Sequence, residues 1–166
     1  AAANTTSTVT LTAGDAITQT GAATGTTLTA KTTKAGGAAI TLTNAGNEFA
    51  TVDLRARNAG DTANDAGAIS YRDATGFDVA TIGTTSTVTL QGGGALTDSG
   101  AIAGTTLTTT SVGGAVLDFG HTVSGFNATN TTNGNVQLVN TGALDITGVS
   151  QAGGGDRSEE HTSELQ

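Results

Sequence analysis

Cysteine, proline, methionine and tryptophan are all missing from this 166-residue chain, and aromatic residues make up 3% of it, one Tyr and four Phe. Without cysteine there is no disulfide framework, no thiolate nucleophile and no zinc site built on sulfur. That absence does not by itself assign a cytosolic location, since cysteine-free chains also suit export in an unfolded state. With so few aromatics a conventional globular core would lack large side chains, so the interior must be thin and repetitive or not exist. Cations are scarce too. Six Lys and Arg stand against 14 Asp and Glu, a formal charge of -8, which argues against a nucleic-acid binder that would need clustered basic residues. No run approaches the roughly 20 apolar residues of a membrane-spanning helix, and no basic segment followed by an apolar run opens the chain. The chain starts at Ala1 and holds no Met, and it reads as an internal piece of a longer polypeptide.

Three small residue types fill the space that these absences leave. Thr (36), Ala (27) and Gly (25) together supply 88 positions, a bias unlike that of ordinary enzyme domains. The last ten residues, RSEEHTSELQ, break from this composition: three of the four Glu in the chain lie there. Their text matches the translation of a common short-read sequencing adapter, so residues 157–166 are read as a non-native tail and set aside. Removing them leaves five basic and eleven acidic residues, and the acidic character survives at -6.

An internal repeat dominates the remainder, residues 1–156. The segment TTSTVTLTAGDAITQTGAATGTTLT at 5–29 aligns without gaps on TTSTVTLQGGGALTDSGAIAGTTLT at 84–108, sharing 17 of 25 residues at an offset of 79. After a two-residue slip GGAAITL at 36–42 lies opposite GGAVLDF at 113–119, with Phe49 opposite Phe126, and GAISYRDATGFDVATI at 67–82 resembles GNVQLVNTGALDITGV at 134–149. The chain is thus about two copies of a unit of roughly 78 residues, at about 5–83 and 84–156, and a repeat architecture takes precedence over any single-domain fold.

Within each unit apolar residues recur two apart, as in Val9/Leu11, Ile40/Leu42, Val52/Leu54, Ile69/Tyr71, Phe77/Val79, Val88/Leu90, Leu117/Phe119, Val136/Leu138 and Leu144/Ile146. Period two is the signature of a strand. β-Branched Thr around these pairs favours extended backbone, and clusters such as TNAGN, RNAGD, QGGG and TNGN punctuate as turns. No apolar stripe of helical spacing is sustained, so an all-β chain with almost no helix is expected. Strands offering two or three inward side chains cannot close a compact sandwich, but they can stack. In a parallel β-solenoid each coil buries its small inward stripe against its neighbours, and a unit of this size corresponds to roughly four coils near 20 residues each. Freedom from Pro fits, since an interior coil donates ladder hydrogen bonds on both sides.

The runs TVTLTAGDAITQTGA, TTLTAKTTKAGGAAITLTNAGNEFATVDL and GAISYRDATGFDVATIG resemble the long Thr/Ala/Gly repeats of filamentous-haemagglutinin-like exoproteins. These are the large secreted adhesins of Gram-negative two-partner secretion systems and related autotransporters. The resemblance covers residues 5–155. It implies a right-handed parallel β-helix of about seven or eight coils, passage through an outer-membrane transporter, and display at the cell surface. It also implies adhesion to host cells, abiotic surfaces or other bacteria through receptors, glycans among them, contacted by the parent protein. Residues that would identify a secretion domain or a dedicated receptor-binding region are missing from the match.

Candidate chemical sites are few, and neither a catalytic residue, a cofactor nor a metal is expected. Outside the tail the one histidine, His121, lies near Asp118 and Ser124 in LDFGHTVSG, but the corresponding position of the first copy is Asn44 in the turn TNAG, so His121 reads as a polar turn residue. Asp53, Asp61, Asp65, Asp73 and Asp78 could line a carbohydrate-cleaving groove of the kind β-helices host. Arg55, Arg57 and Arg72, however, form no recognisable motif with them, and this enzyme reading stands as the alternative, beside a surface-layer or matrix role. For calcium, DTANDAG at 61–67 lacks the spaced oxygen ligands of an EF-hand loop, and GGGD at 153–156 is no nonapeptide repeat. Strands TVT, TLT and TTLTTT invite an ice-binding reading, which TVDLRA and AISYRD interrupt. Asn4, Asn127 and Asn130 head N-x-[ST] sequons, which so much Thr supplies by chance. The GxG and GGG runs read as turns, since no helix follows them.

Overall fold

The computed structural model describes residues 7–153 and the backbone of Arg157–Ser158. The Asn4 sequon, most of the GGGD run and the rest of the tail fall outside the described residues. Sixteen strands wind into about seven coils, each contributing to two faces. The first four coils pair β1 (Thr8–Ala13) with β2 (Ile17–Thr18), β3 (Thr24–Thr33) with β4 (Ile40–Leu42), β5 (Glu48–Arg57) with β6 (Ile69–Asp73), and β7 (Phe77–Gly83) with β8 (Val88–Gly92). The fifth holds β9 (Leu96–Asp98), β10 (Ile102–Ala103) and β11 (Thr106–Ser111), the sixth β12 (Ala115–His121) and β13 (Gly125–Asn130), and the seventh β14 (Val136–Asn140) and β15 (Asp145–Gln151); β16 (Arg157–Ser158) then pairs with β14. The first strands of the coils stack as one parallel sheet in the order β1-β3-β5-β7-β9-β12-β14-β16, and the second strands as another, β15-β13-β11-β8-β6-β4-β2. Among the described residues there is no helix, and so none long and apolar enough to cross a membrane. The expected all-β parallel β-solenoid is the observed architecture.

Stacking follows from the period-two pairs. Ile40, Leu42, Val52, Leu54, Ile69, Tyr71, Phe77, Val79, Val88 and Leu90 are all buried, and register places them in columns. In the second sheet Ile17, Ile40, Ile69, Val88, Leu107 and Phe126 follow one another coil by coil. One pair departs from the pattern. Leu117 is buried, whereas Phe119 is 59% exposed, because the ladder between β12 and β14 shifts register between Leu117 and His121. Gly120, at φ +96°, supplies the left-handed backbone that this bulge needs. At the corners neighbouring turns nest so closely that side chains are excluded. A Cβ on Gly67 would fall 2.0 Å from the Ala38 carbonyl oxygen.

Coil length is not uniform, and this corrects the expected count of coils per repeat. Register partners lie 19 residues apart from Val9 to Leu28, 24 from Leu28 to Val52, 27 from Val52 to Val79, and 19 from Leu96 to Ala115. The long third coil extrudes residues 58–68 as a loop closed by an antiparallel bridge between Arg57 and Asn64. The 79-residue offset therefore spans three and a half coils, not four. Val9 sits on β1 of the first sheet while its repeat partner Val88 sits on β8 of the second, and Leu28 and Leu107 are exchanged in the same way. The two sheets accept the same sequence because both present the same narrow apolar interior.

Two expectations follow. Leu90→Ala, which empties a fully buried position, lowers unfolding free energy by about 2–5 kcal/mol, while Thr89→Ala on the outer face changes it by less than about 0.5 kcal/mol; urea unfolding midpoints measure both. Val9 and Leu11 at one end and Leu144, Ile146 and Val149 at the other are only partly buried, and β1, β2 and β15 have one unpaired edge among the described strands. Such edges recruit further strands, so light scattering of the isolated chain is expected to show a mass that rises with concentration, and a constant monomer mass contradicts it.

Candidate functional site

The polar groups that could carry chemistry are few, and the fold sorts them by whether they face into or out of the coils. His121 closes β12 as an inward side chain with 0% exposure. It extends an interior column that runs Leu11, Ala30, Leu54, Ile82 and Ile102, and Asn140 follows it. The expectation of a polar turn residue is thereby corrected: the bulge at residues 118–120 turns His121 inward, although its counterpart Asn44 does lie in a turn between β4 and β5. The Ile102 amide donates to His121 Nδ1 at 2.9 Å, so the proton of the neutral ring resides on Nε2. That nitrogen lies 3.3 Å from Asp98 Oδ2 without an aligned hydrogen bond. Burial is the dominant influence on the ring and holds its pKa below the ordinary histidine value, against the opposing pull of Asp98.

Asp98 was not legible as a site residue. It occupies an interior column position between Val79 and Leu117, and its side chain is 1% exposed. Its two oxygens accept the Asp118 and Phe119 amides at 3.0 and 2.9 Å, so the bulge that expels Phe119 also binds the carboxylate. One signal does exist. Asp98 follows Leu96 at strand spacing, and its repeat counterpart is Gln19, which follows Ile17 and exchanges hydrogen bonds with Asn47 of the next coil. A charge-relay arrangement of Asp118, His121 and Ser124 does not form. Asp118 and Ser124 face solvent, no hydrogen bond joins them to His121 among the described residues, and His121 meets Asp98 instead.

The five other carboxylates singled out by the sequence do not converge. Asp53 receives Arg55 of its own strand through two bonds, 2.6 and 2.8 Å long. Asp61, at φ 53° in the extruded loop, is gripped by Lys31 and Arg57, and these partners, Lys31 foremost, hold it below the usual carboxylate range. Asp65 accepts the Gly36 and Ala66 amides, and Asp78 accepts the Ser99 hydroxyl. No group of carboxylates and histidines fit to hold a metal occurs among the described residues. Asp73 is the second buried carboxylate. It accepts the Tyr71 hydroxyl at 2.5 Å, the Phe49 amide, and both the amide and hydroxyl of Thr75. Burial, reinforced by Asp73, pushes the Tyr71 hydroxyl far above its ordinary pKa, and its ring meets Phe77 edge-on at 4.9 Å.

Arg72 alone among the described cations has no carboxylate partner. It lines a shallow groove along the corner of coils 2 to 6 with Gln91, Thr110 and Thr131. The outer columns of the second sheet run Thr18, Thr41, Ser70, Thr89, Thr108, Asn127 and, beside them, Arg72, Gln91, Thr110, Thr129. Ser70, Arg72 and Gln91 interrupt the Thr-x-Thr array, as the sequence indicated at AISYRD. Of the sequons, Asn127 lies on the outer face of β13, whereas Asn130 is buried and its side-chain nitrogen donates to Asn133, Gly134 and Gln151.

Residues 1–54 match a family described as "Repeats of unknown function (DUF5649)". That match agrees with a repeat region and names no filamentous haemagglutinin, ligand or reaction. No curated protein and no solved structure matches the chain.

Asp73→Ala is expected to destabilise the fold by on the order of 3 kcal/mol, because it strands the Tyr71 hydroxyl and the Phe49 amide in a buried corner. Asp53→Ala, which breaks a half-buried ion pair still open to solvent on the Arg55 side, costs about 1 kcal/mol or less. Chemical denaturation of the two variants side by side checks the contrast.

Proposed function

We propose that this chain is a structural stalk segment of a large secreted adhesin displayed on a Gram-negative cell surface, whose parent protein mediates attachment or biofilm formation. The observation that supports this reading most is the unbroken stacking of about seven coils through two parallel sheets. At about 4.8 Å per coil they make a rod on the order of 30 Å long. A rod built this way resists bending, since strands inside the stack are hydrogen-bonded to the coils on both sides and the register resumes after each bulge. Further repeats lengthen it at constant cross-section. Four of the five described Lys and Arg side chains, Lys31, Lys34, Arg55 and Arg57, are paired with carboxylates, which leaves the surface acidic.

In this reading the chain crosses the outer membrane through a dedicated transporter before folding. Each completed coil offers an unpaired edge on which the next coil forms, so folding outside the membrane draws the remaining chain outward. Contacts with receptors, glycans among them, belong to the parent protein. Antibodies against residues 7–153, applied to intact cells that express the parent, are expected to label the surface, and brief external protease treatment to remove the label. A segment found only after the cells are opened would overturn the adhesin reading.

A further inference from the structure

The stalk reading leaves one buried titratable group without a role. We propose that His121 is an acid-sensitive latch of the solenoid: uptake of a proton at its Nδ1 breaks the bond from the Ile102 amide and loosens coil 6 from coil 5, so that the coils beyond it open first. The geometry carries this. The Nδ1 lone pair is already engaged by the Ile102 N–H at 2.9 Å, in a position with no exposure. A second proton there sets two donors face to face where neither can reach water.

The groups around the ring decide the balance. From β9, Asp98 faces Nε2 at 3.3 Å and favours the charged ring, and from β12 the Leu117 backbone and, more weakly, Asp118 pull in the same direction. Asp98 is however already satisfied in part by the Asp118 and Phe119 amides. From β10 only Ile102 meets the ring, and from β14 the neighbour is Asn140, uncharged and committed to Val123 and Gly142. Burial outweighs the acidic neighbours, and the folded ring resists protonation. As the pH falls through about 6.5, the unfolded chain therefore gains a proton that the folded chain does not. The folded-to-unfolded ratio is at its full value above that pH and declines below it, by up to tenfold per pH unit, until the folded ring itself titrates. The coils on the far side of the latch, like the first coil at the opposite end, are lightly held, since Leu138, Leu144, Ile146 and Val149 are only partly buried, and of the two ends only this one adjoins the His121 contact.

The test uses the full chain between pH 8 and pH 5. Urea midpoints are expected to be level above pH 6.5 and to fall below it. Hydrogen-exchange protection is expected to drop in residues 115–151 before residues 24–57. His121→Asn keeps an acceptor near the Nδ1 position but cannot be charged, as Asn140 already does in the same column, and it is expected to remove the extra decline. NMR titration of the His121 ring in the native protein, separated from His161 by the signal lost in the variant, reads the same quantity even if the variant folds poorly. A native His121 that titrates at or above 6.5, an undiminished decline in a folded His121→Asn, or protection lost evenly along the rod overturns the latch.

Discussion

Parallel hydrogen bonding between successive coils is the constraint on which everything else in this molecule depends. A ladder that ties each strand residue to one residue above and one below, about 4.8 Å away, converts a local alternation into columns that run the length of the rod. An inward position is then acceptable only if it suits the positions stacked on it. This is why small and medium apolar residues suffice for the interior despite 3% aromatic content. It also explains the tolerance of coil length, from 19 residues to 27. Extra residues leave the ladder at a corner, as 58–68 do, and the register resumes beyond them.

The polar groups inside the solenoid mark the places where that ladder fails. Corners and bulges turn backbone amides away from their ladder partners, and buried amides need acceptors. Asp73 takes the Phe49 and Thr75 amides, Asn47 takes the Ala23 amide, Asn130 takes the Gly114 amide, and Asp98 takes those of the bulge after Leu117. Each of these side chains is accompanied by a second polar group, Tyr71, Gln19, Gln151 and His121 in turn. The interior polar pairs are therefore repairs to the backbone before they are anything else. Only the last of them includes a group whose charge changes near neutral pH, which is what sets His121 apart from otherwise similar corner residues.

Most of the architecture was legible because it is written in short-range pattern. Pairs two apart, Thr between them, and Gly-Asn turns identified the strands, and the shortage of large side chains pointed to stacking in place of a compact core. The site was legible only in part. Asp53, Asp61, Asp65, Asp73 and Asp78 were visible as candidates, but nothing local indicates that Asp53 is spent on Arg55 two residues away while Asp73 is buried against Tyr71. Asp98 carries no such mark, since a carboxylate at an apolar column position looks like any surface aspartate until the column is known. Alignment of His121 with Asn44 points to a turn, because nothing in the aligned residues signals the bulge at 118–120.

By itself the sequence determined the class of structure: strands in place of helices, a repeating interior, an acidic surface with little cationic character, and two related units. Tertiary structure alone decided which sheet each copy joins, that the 79-residue offset spans three and a half coils, that Phe119 points outward, and that Asp98 and His121 meet inside. The physical reason is the range of the information. Alternation and turn propensity act over a few residues, whereas coil length, register shifts and column partners depend on the sum of all the loops and bulges between residues about 20 positions apart, and become definite only when the coils stack.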